Sequence, residues 1–293
     1  MHNWADIIDQ IAAASGINCG ARSITPIGGG CSHSAFLLTG GVHPVFVKIA
    51  QHHLIESLQS EASGLMQLRQ TNTIRVPDLY CTGISGDHSF IAMQGIEFGA
   101  AKAHSYTLLG EQLAALHQHQ SPTFGTTHDN YIGTTPQINT RSNNWFSFWR
   151  KHRLGYQLQL AKQNGASLSL IDDGYRLGAS MEALFATSPV ASCLHGDLWQ
   201  GNWGFDKQGQ PLIFDPAHYY GDRETDIAMT HLFGTAQSAF YTAYQHHYPM
   251  SGNYRQRQIF YNIYHILNHY NLFGGRYLDQ AQIMIQKLLA DLG

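Results

Sequence analysis

The sequence has little charge, few cysteines and no long apolar run. Only 13% of its 293 residues are charged and the net charge is -3, which leaves no basic surface for nucleic acid or an anionic membrane. No stretch reaches the roughly 18 apolar residues that a membrane span needs. The four cysteines lack CxxC spacing. This argues against a zinc site or a disulfide framework and predicts a cytoplasmic protein.

Histidine, in contrast, is abundant, with 18 residues. His265 and His269 are four residues apart and could share one face of a helix. The glutamate of an HExxH motif is missing, and no third ligand is obvious. We therefore interpret most of the histidines as surface or partly buried polar residues.

The pattern of the chain changes near residue 100. The N-terminal segment predicts an amphipathic helix that ends at Gly16, with no signal-peptide pattern. Before residue 100, short β-branched or aromatic runs predict strands, and the helical signal dominates after it. The predicted strands are Ser23–Ile27, Ser34–Leu38, Val45–Ile49 and Ser89–Met93, with one helix at about 54–70. The predicted later helices cover 105–119, 143–163, 172–186, 224–248 and 254–290.

This order predicts the α+β class and a protein-kinase-like bilobal fold. We expect a small antiparallel sheet with one helix in residues 1–97, which would be the N-terminal lobe. Residues 98–293 would form a larger, mostly helical C-terminal lobe. The order of elements is weak support alone, and the site residues strengthen it.

The segment HGDLWQGN fits the kinase catalytic-loop pattern H-x-D-L-x-x-x-N. Kinase chemistry needs one carboxylate to accept the hydroxyl proton of the acceptor and an amide five residues later to hold a metal ion. We expect Asp197 to be the catalytic base, Asn202 to be a metal ligand and His195 to support the loop. The alternative is an ordinary turn rich in glycine and asparagine.

A second carboxylate follows the catalytic-loop segment at a suitable distance. Asp215 ends the apolar run Leu212–Phe214 and would be the other ligand of Mg²⁺, which prefers oxygen atoms and shares them with substrate phosphates. Pro and Ala follow Asp215 where regulated protein kinases have Phe and Gly, and the gap to the next helix is short. Asp226 is expected to support the catalytic loop by accepting hydrogen bonds from its backbone N–H groups.

A glycine run in the N-terminal half could contact phosphate. Gly28, Gly29, Gly30 and Ser32 lie between two strand-like segments, and glycine lets backbone N–H groups approach phosphate oxygens closely. The run does not match G-x-G-x-x-G, so it is a weak signal by itself.

Lys48 and Glu61 are predicted to form an ion pair. Lys48 lies in the apolar run VFVKIA, where a lysine is costly unless it is paired, although a solvent-facing lysine is the alternative on this segment alone. Glu61 falls on or beside the apolar stripe of the helix in LIESLQSEASGLMQLRQ. Such a pair orients the lysine onto the α- and β-phosphates of ATP.

The strand Phe90–Met93 and the residues after it fit a hinge that binds adenine through backbone groups. Met93, Gln94 and Ile96 are the candidate contacts. The alternative is an ordinary strand and turn.

Two long segments, HGDLWQGNWGF and FDPAHYYGDRETDIAM, resemble the fructosamine kinase (ketosamine-3-kinase) family, a relative of the aminoglycoside and choline phosphotransferases. Trp199 and the DPAxYYGDRExD run distinguish this family from those relatives. The resemblance extends through GGGCSHSAF, VFVKIA, LAALH, DNYIGTTPQINT and NNWFSFWRKHRL, and so covers nearly the whole chain. One departure is the hinge sequence MQGI, because an acidic residue often follows the methionine in this family.

The resemblance implies ATP- and Mg²⁺-dependent phosphorylation of the O3 hydroxyl of ketosamines. The acceptors would be fructosamines or ribulosamines, free or on protein lysines, and the reaction would serve deglycation. Trp199 would stack on the sugar, unless it is a core residue beneath the loop. Cys31 would be a redox-sensitive thiol that could pair across two chains, or a plain buried residue, so the chain would be a monomer or a weak or redox-linked homodimer.

Three alternatives remain at this point. A phosphotransferase for aminoglycosides or choline is disfavoured because residues 254–277 have few carboxylates for a cationic acceptor. A protein kinase is disfavoured by the short segment after Asp215. A nucleotide-binding pseudokinase scaffold is disfavoured because the base and metal positions are retained together.

Overall fold

The first part of the chain forms a five-stranded antiparallel sheet covered by two helices. The computed structural model describes residues 2–17, 19, 22–28 and 33–293. The five strands are Ser23–Ile27 (β1), Ser34–Thr39 (β2), Val45–Gln51 (β3), Leu79–Ser85 (β4) and His88–Gln94 (β5). Their order in the sheet is β1-β2-β3-β5-β4. The covering helices are Trp4–Ser15 (α1) and Ile55–Gln70 (α2).

The central strand β3 is apolar on both faces because each face meets a helix. Val45, Val47 and Ile49 pack with Ile7 and Ile11 of α1. Gly16 caps α1 after Ser15: its φ of 70° suits glycine, and its N–H donates to the Ala12 carbonyl at 2.9 Å. The opposite face of β3 carries Lys48 toward α2.

The rest of the chain is mainly helical. Its helices are Ser105–His117 (α3), Trp145–Trp149 (α4), Gly155–Gln163 (α5), Leu168–Ser180 (α6), Glu224–Met229 (α7), Ser238–His247 (α8), Tyr254–Phe273 (α9) and Tyr277–Leu292 (α10). A π-helical turn, Arg150–Leu154, joins α4 to α5. None of the helices in the described ranges combines the length and the apolar character needed to cross a membrane.

Short strands within this helical part position the loops around the site. They are Gln120–Ser121 (β6), Asn130–Ile132 (β7), Thr135–Gln137 (β8), Ala191–Leu194 (β9), Trp203–Phe205 (β10), Pro211–Ile213 (β11) and Tyr219–Gly221 (β12). β9 pairs with β12, and β10 pairs with β11. The catalytic-loop segment therefore leaves the end of β9, and Asp215 follows β11 closely.

The predicted α+β class is confirmed, with differences in particular elements. β4 was not predicted, because LYCTGIS contains a glycine and is mostly half-buried without a clean alternation. The predicted helix 224–248 is two helices, α7 and α8, and Gly234 between them has a φ of 129°. The predicted helix 254–290 is likewise divided at Gly274 and Gly275, whose φ values are 67° and 65°. The division of the chain into lobes at residue 97 stays a prediction.

Candidate active site

A cavity of about 940 Å³ brings together most of the residues predicted from the sequence. β3, α2 and the hinge contribute one side, while the segments after β9 and β11 contribute the other. The charged and amide residues that line it are Lys48, Glu61, Gln94, Asp197, Asn202, Asp215 and Asn268. Five of these residues are linked to one another by hydrogen bonds and form what we call the polar wall: Lys48, Glu61, Asp197, Asn202 and Asp215.

The predicted ion pair between Lys48 and Glu61 is present. Nζ of Lys48 donates to both carboxylate oxygens of Glu61, at 2.9 and 2.8 Å, and also to Oδ1 of Asp215 at 2.9 Å. Lys48 and Glu61 are each 8% exposed. Burial alone would lower the pKa of Lys48, but the carboxylates of Asp215 and Glu61 raise it above its usual value. The lysine is therefore a permanent positive charge in the cavity.

Packing of α2 holds Glu61 beneath the sheet. Leu58, Ala62, Leu65 and Leu68 form the buried stripe of this helix, and Glu61 lies beside them. A helix fixed along its whole apolar face gives the carboxylate little freedom to leave Lys48.

Asp215 has an unusual backbone conformation at the end of the β11 segment. Its φ of 58° lies in the left-handed region, which aspartate tolerates better than most residues. Burial opposes ionisation of its side chain, but the positive charge of Lys48 and its hydrogen bond lower the pKa of Asp215 overall. The carboxylate is therefore ionised and lies beside Lys48.

Asp197 and Asn202 contact each other within the catalytic loop. Nδ2 of Asn202 donates to the carbonyl of Asp197 at 2.8 Å and to its Oδ2 at 3.2 Å. Burial raises the pKa of Asp197 to about 8, with further contributions from the carboxylates of Asp215 and Asp226. A carboxyl group with such a pKa is a better proton acceptor than an ordinary aspartate.

Asp226 lies beneath the loop on α7. Its carboxylate accepts the backbone N–H groups of His195 at 2.7 Å and of Gly196 at 2.9 Å. His117 of α3 approaches the same carboxylate with Nε2 at 3.2 Å. Nε2 of His195 lies 2.9 Å from the carbonyl of Phe214, next to Asp215. Buried polar contacts thus connect the two carboxylate-bearing segments.

The nucleotide end of the cavity is only partly described. Gly28, Met93, Gln94 and Ile96 all line it. The predicted residues Gly29, Gly30, Cys31 and Ser32 lie outside the described residues. Phe98 and Phe214 also line this cavity, with ring centroids 5.5 Å apart, and the sequence reasoning did not single them out.

Trp199 lines the cavity and is not a core residue. It is 38% exposed, and its ring covers Gly201 so closely that a Cβ there would lie 2.3 Å from the indole. Phe233 lies edge-on to Trp199, with the ring centroids 6.4 Å apart. The indole therefore packs on Gly201 and Phe233 at the cavity wall, and part of its surface is exposed.

Sequence reasoning missed the aromatic group that extends from Trp199. Phe233, His269, Phe273 and Tyr277 line the same cavity. The ring of His269 lies 4.5 Å from that of Phe233 and 5.2 Å from that of Tyr277. The aromatic content of residues 254–277 was visible in the sequence, but which face would open into the cavity was not.

Histidines do not form a metal site in the described residues. Among residues 2–17, 19, 22–28 and 33–293, no three His, Cys, Asp or Glu side chains are grouped to hold a metal ion. Nδ1 of His269 lies 2.8 Å from the carbonyl of His265. Candidate metal ligands are therefore the carboxylate of Asp215 and the amide oxygen of Asn202, which lie at the polar wall.

Comparison with known proteins gives a consistent result over the whole chain. Residues 3–291 match the family described as fructosamine kinase. A "probable ketoamine kinase" of Synechocystis sp. is 42% identical, with 98% of this chain and 97% of that protein covered. The chloroplastic "protein-ribulosamine 3-kinase" of Arabidopsis thaliana is 39% identical over 91% of this chain and 82% of its own.

Solved structures agree with the fold. A "putative fructosamine-3-kinase" from Haemophilus somnus superposes with a TM-score of 0.90 at 30% identity, covering 98% of this chain and 97% of the other. Choline kinase LicA from Streptococcus pneumoniae has a TM-score of 0.64 at 15% identity, over 98% and 99% of the two chains. The second likeness concerns the fold alone and confirms the kinase-like architecture.

Proposed function

The chain belongs to the fructosamine kinase family, and from that premise we propose that it transfers the γ-phosphate of ATP to the O3 hydroxyl of ketosamines. The observation that carries the proposal is the polar wall of the cavity, where Lys48, Asp197, Asn202 and Asp215 meet. The acceptors are fructosamines or ribulosamines. Their phosphorylation would release the amine, so the activity is a deglycation.

Lys48 is proposed to bind the phosphate tail of ATP. Its ammonium group is held between Glu61 and Asp215, and its raised pKa keeps it cationic. Adenine would contact the hinge at Met93, Gln94 and Ile96, which all line the cavity. Gly28 and its neighbours Gly29, Gly30 and Ser32 would cover the phosphates through their backbone N–H groups.

Asp197 is proposed to accept the proton of the acceptor hydroxyl. Its contact with Nδ2 of Asn202 fixes the carboxylate, and Asp226 holds the preceding backbone from below. The buried surroundings raise the pKa of Asp197 to about 8, which favours proton uptake as the hydroxyl attacks. The residue then carries the proton on its carboxylate.

The residues present fit a magnesium ion. Nδ2 of Asn202 donates to Asp197 and to the Asp215 carbonyl, which leaves the amide oxygen for a cation, and the Asp215 carboxylate would supply an anionic oxygen. One carboxylate and one amide are few ligands, as expected for an ion that keeps waters and takes substrate phosphate oxygens. When bound, the ion would neutralise negative charge on the transferred phosphoryl group.

The acceptor end of the cavity fits a small sugar attached to an amine. Trp199 offers an aromatic face to the sugar, and Phe233, His269 and Tyr277 extend that surface. Among the described lining residues the carboxylates are Glu61, Asp197 and Asp215, all in the polar wall. Nothing acidic in these residues is left to bind the several ammonium groups of an aminoglycoside.

The test is ATP consumption with Mg²⁺ against a panel of acceptors. The panel contains ribuloselysine, fructoselysine, choline, kanamycin and buffer alone, and Asp197→Asn is the matched control. We expect turnover only with the two ketosamines and none with the variant. Turnover confined to choline or kanamycin would overturn the substrate proposal. Nucleotide binding without turnover on any acceptor would favour a scaffold.

The setting of the reaction is also a proposal. Unpatterned cysteines favour a reducing compartment such as the cytoplasm. The acceptor is a free ketosamine or a ketosamine on a protein lysine, since both present the same sugar to Trp199. Comparing ribuloselysine with a ribated protein in the same assay distinguishes the two acceptors.

A further inference from the structure

The hairpin of β7 and β8 contacts the chain directly after Asp215 through two buried amides. Nδ2 of Asn130 donates to the carbonyl of His218 at 2.8 Å. Nε2 of Gln137 donates to the carbonyl of Ala217 at 3.1 Å. Asn130 is 7% exposed and Gln137 is 1% exposed, so water does not replace these bonds readily. Neither amide has a part in the chemistry proposed above.

Gln137 uses every polar group of its side chain. Besides the Ala217 carbonyl, Nε2 donates to Oδ1 of Asn130 at 2.8 Å. Its Oε1 accepts a hydrogen bond from the hydroxyl of Tyr264 on α9 at 2.8 Å. An amide with both donor hydrogens and its acceptor engaged has one orientation, so the position of the Ala217 carbonyl is fixed.

A buried arginine anchors the strand end of the same hairpin. NH2 of Arg153 donates to Oδ1 of Asn139 at 2.7 Å, and NH1 donates to the carbonyl of Ile138 at 2.6 Å. The guanidinium carbon lies 4.0 Å from the ring centroid of Tyr219. Nδ2 of Asn139 in turn donates to Oδ1 of Asn130 at 2.8 Å. The hairpin is therefore anchored through Arg153 and Asn139, which do not line the cavity.

The carbonyl that Gln137 holds also supports the catalytic loop. Gly196 has a φ of 86°, and a Cβ there would lie only 2.0 Å from the Ala217 oxygen. The loop therefore packs directly on this carbonyl, one residue before Asp197. Asp215 lies two residues before Ala217, and the intervening Pro216 restricts the backbone. A shift of the Ala217 carbonyl would therefore change the position of the Asp197 carboxylate relative to that of Asp215.

We propose that Gln137 is a positioning residue that sets the spacing of Asp197 and Asp215 by fixing the Ala217 carbonyl. The inference deepens the proposed kinase function and rests on it for its kinetic readout. A site whose carboxylates are misplaced by even a fraction of an ångström loses rate more than nucleotide affinity. Lys48 and the hinge do not contact the hairpin amides, so ATP binding should be spared.

The experiment compares Gln137→Met with Tyr264→Phe. Methionine has a similar volume to glutamine but donates no hydrogen bond to Ala217. The phenylalanine removes the hydroxyl that donates to Oε1 of Gln137 and that also contacts Gln157, and it leaves both Nε2 donors of Gln137 in place. The kinetic constants with ribuloselysine and ATP, the Tm, and hydrogen–deuterium exchange of residues 193–203 are measured for both variants and the wild type.

We expect Gln137→Met to lower kcat by about 10- to 100-fold with the KM for ATP within about threefold of the wild type. Exchange in residues 193–203 should become faster. Tyr264→Phe should keep kcat within about threefold, although it also loses a buried hydrogen bond. A large loss of kcat with an unchanged KM for ATP in Gln137→Met, and no such loss in Tyr264→Phe, distinguishes a positioning role from a general loss of stability.

Several results would overturn the inference. The inference is wrong if Gln137→Met folds and keeps a kcat near that of the wild type. It is also wrong if Tyr264→Phe loses as much kcat as Gln137→Met. If Gln137→Met does not fold, Gln137→Glu replaces it, since it removes the Nε2 donor to the Ala217 carbonyl and keeps an oxygen that accepts from Tyr264. The same criteria then apply.

Failure of the proposed function would look different. If the wild type turns over no ketosamine, the substrate assignment is wrong, and hydrogen–deuterium exchange alone decides the role of Gln137. Unchanged exchange of residues 193–203 in Gln137→Met would then reject the positioning role. Faster exchange there, with Tyr264→Phe unchanged, would support it.

Discussion

Replacing Asp197 by asparagine should abolish activity and yet stabilise the protein in alkaline solution. Burial raises the pKa of this carboxyl from 3.8 to about 8, so its ionised form is disfavoured in the folded state. An acid with a raised folded pKa binds a proton that the unfolded chain releases, so the wild type loses stability as the pH rises from about 4 to about 8. Asparagine has no such proton to lose.

The size of the effect follows from the pKa elevation. Each pKa unit corresponds to about 1.4 kcal/mol, so a rise from 3.8 to about 8 sets an upper bound of about 6 kcal/mol. The cavity is open to solvent at Asp197, and screening reduces the expected gain to about 1–3 kcal/mol. For a chain of this length that corresponds to a Tm increase of about 2–5 °C. In Asp197→Asn, Nδ2 of Asn202 can still donate to the side-chain oxygen that remains at position 197.

The assay is thermal unfolding at pH 5, 7 and 9, without nucleotide or Mg²⁺, because a bound cation would offset the buried charge. The difference in Tm between Asp197→Asn and the wild type should be small at pH 5 and largest at pH 9. Asp9→Asn, at an exposed carboxylate of α1, is the control and should change little at any pH. If Asp197→Asn gains no stability over the wild type between pH 5 and pH 9, the pKa of Asp197 is not raised in the folded protein.

The remaining predictions concern the other parts of the site. Lys48→Met leaves Glu61 and Asp215 without their cation, so urea unfolding should show a loss of about 3 kcal/mol; a stability equal to the wild type would contradict this pairing. The same variant should lower kcat/KM for ATP by about 100-fold. Trp199→Ala should raise the KM for ribuloselysine about tenfold while the KM for ATP stays constant; an effect on ATP instead would place the indole elsewhere. The kcat/KM for the ketosamine should rise with pH through an inflection well above the ordinary carboxyl pKa of about 4, because Asp197 must be ionised to accept a proton. A profile that is flat from pH 5 to pH 9 would exclude that role.

Much of the fold was predictable because local pattern and packing agree. The run VFVKIA is apolar on both sides of Lys48, and the structure has a helix on each face of β3. The ends of the last two helices were not predicted, since a hydrophobic pattern continued past Gly274 and Gly275. Gly274 and Gly275, both at positive φ, lie in the turn between α9 and α10.

The polar wall was predictable from spacing, whereas its supports were not. Lys48 and Glu61 could be paired because strand and helix periods place both near the core. The contact between Gln137 and the Ala217 carbonyl joins residues 80 positions apart, and no local pattern predicts it. His117 was likewise noticed only as part of a resembling segment, although it lies 3.2 Å from Asp226.

The most direct test of the central claim is ³¹P NMR of the reaction with ATP, Mg²⁺ and ribuloselysine. We expect the γ-phosphate signal to be replaced by a phosphomonoester coupled to the proton on C3 of the sugar, followed by release of free lysine. Asp197→Asn should leave the ATP signals unchanged. If inorganic phosphate alone appears at the same rate with and without ribuloselysine, the chain is not a ketosamine kinase and the account is contradicted.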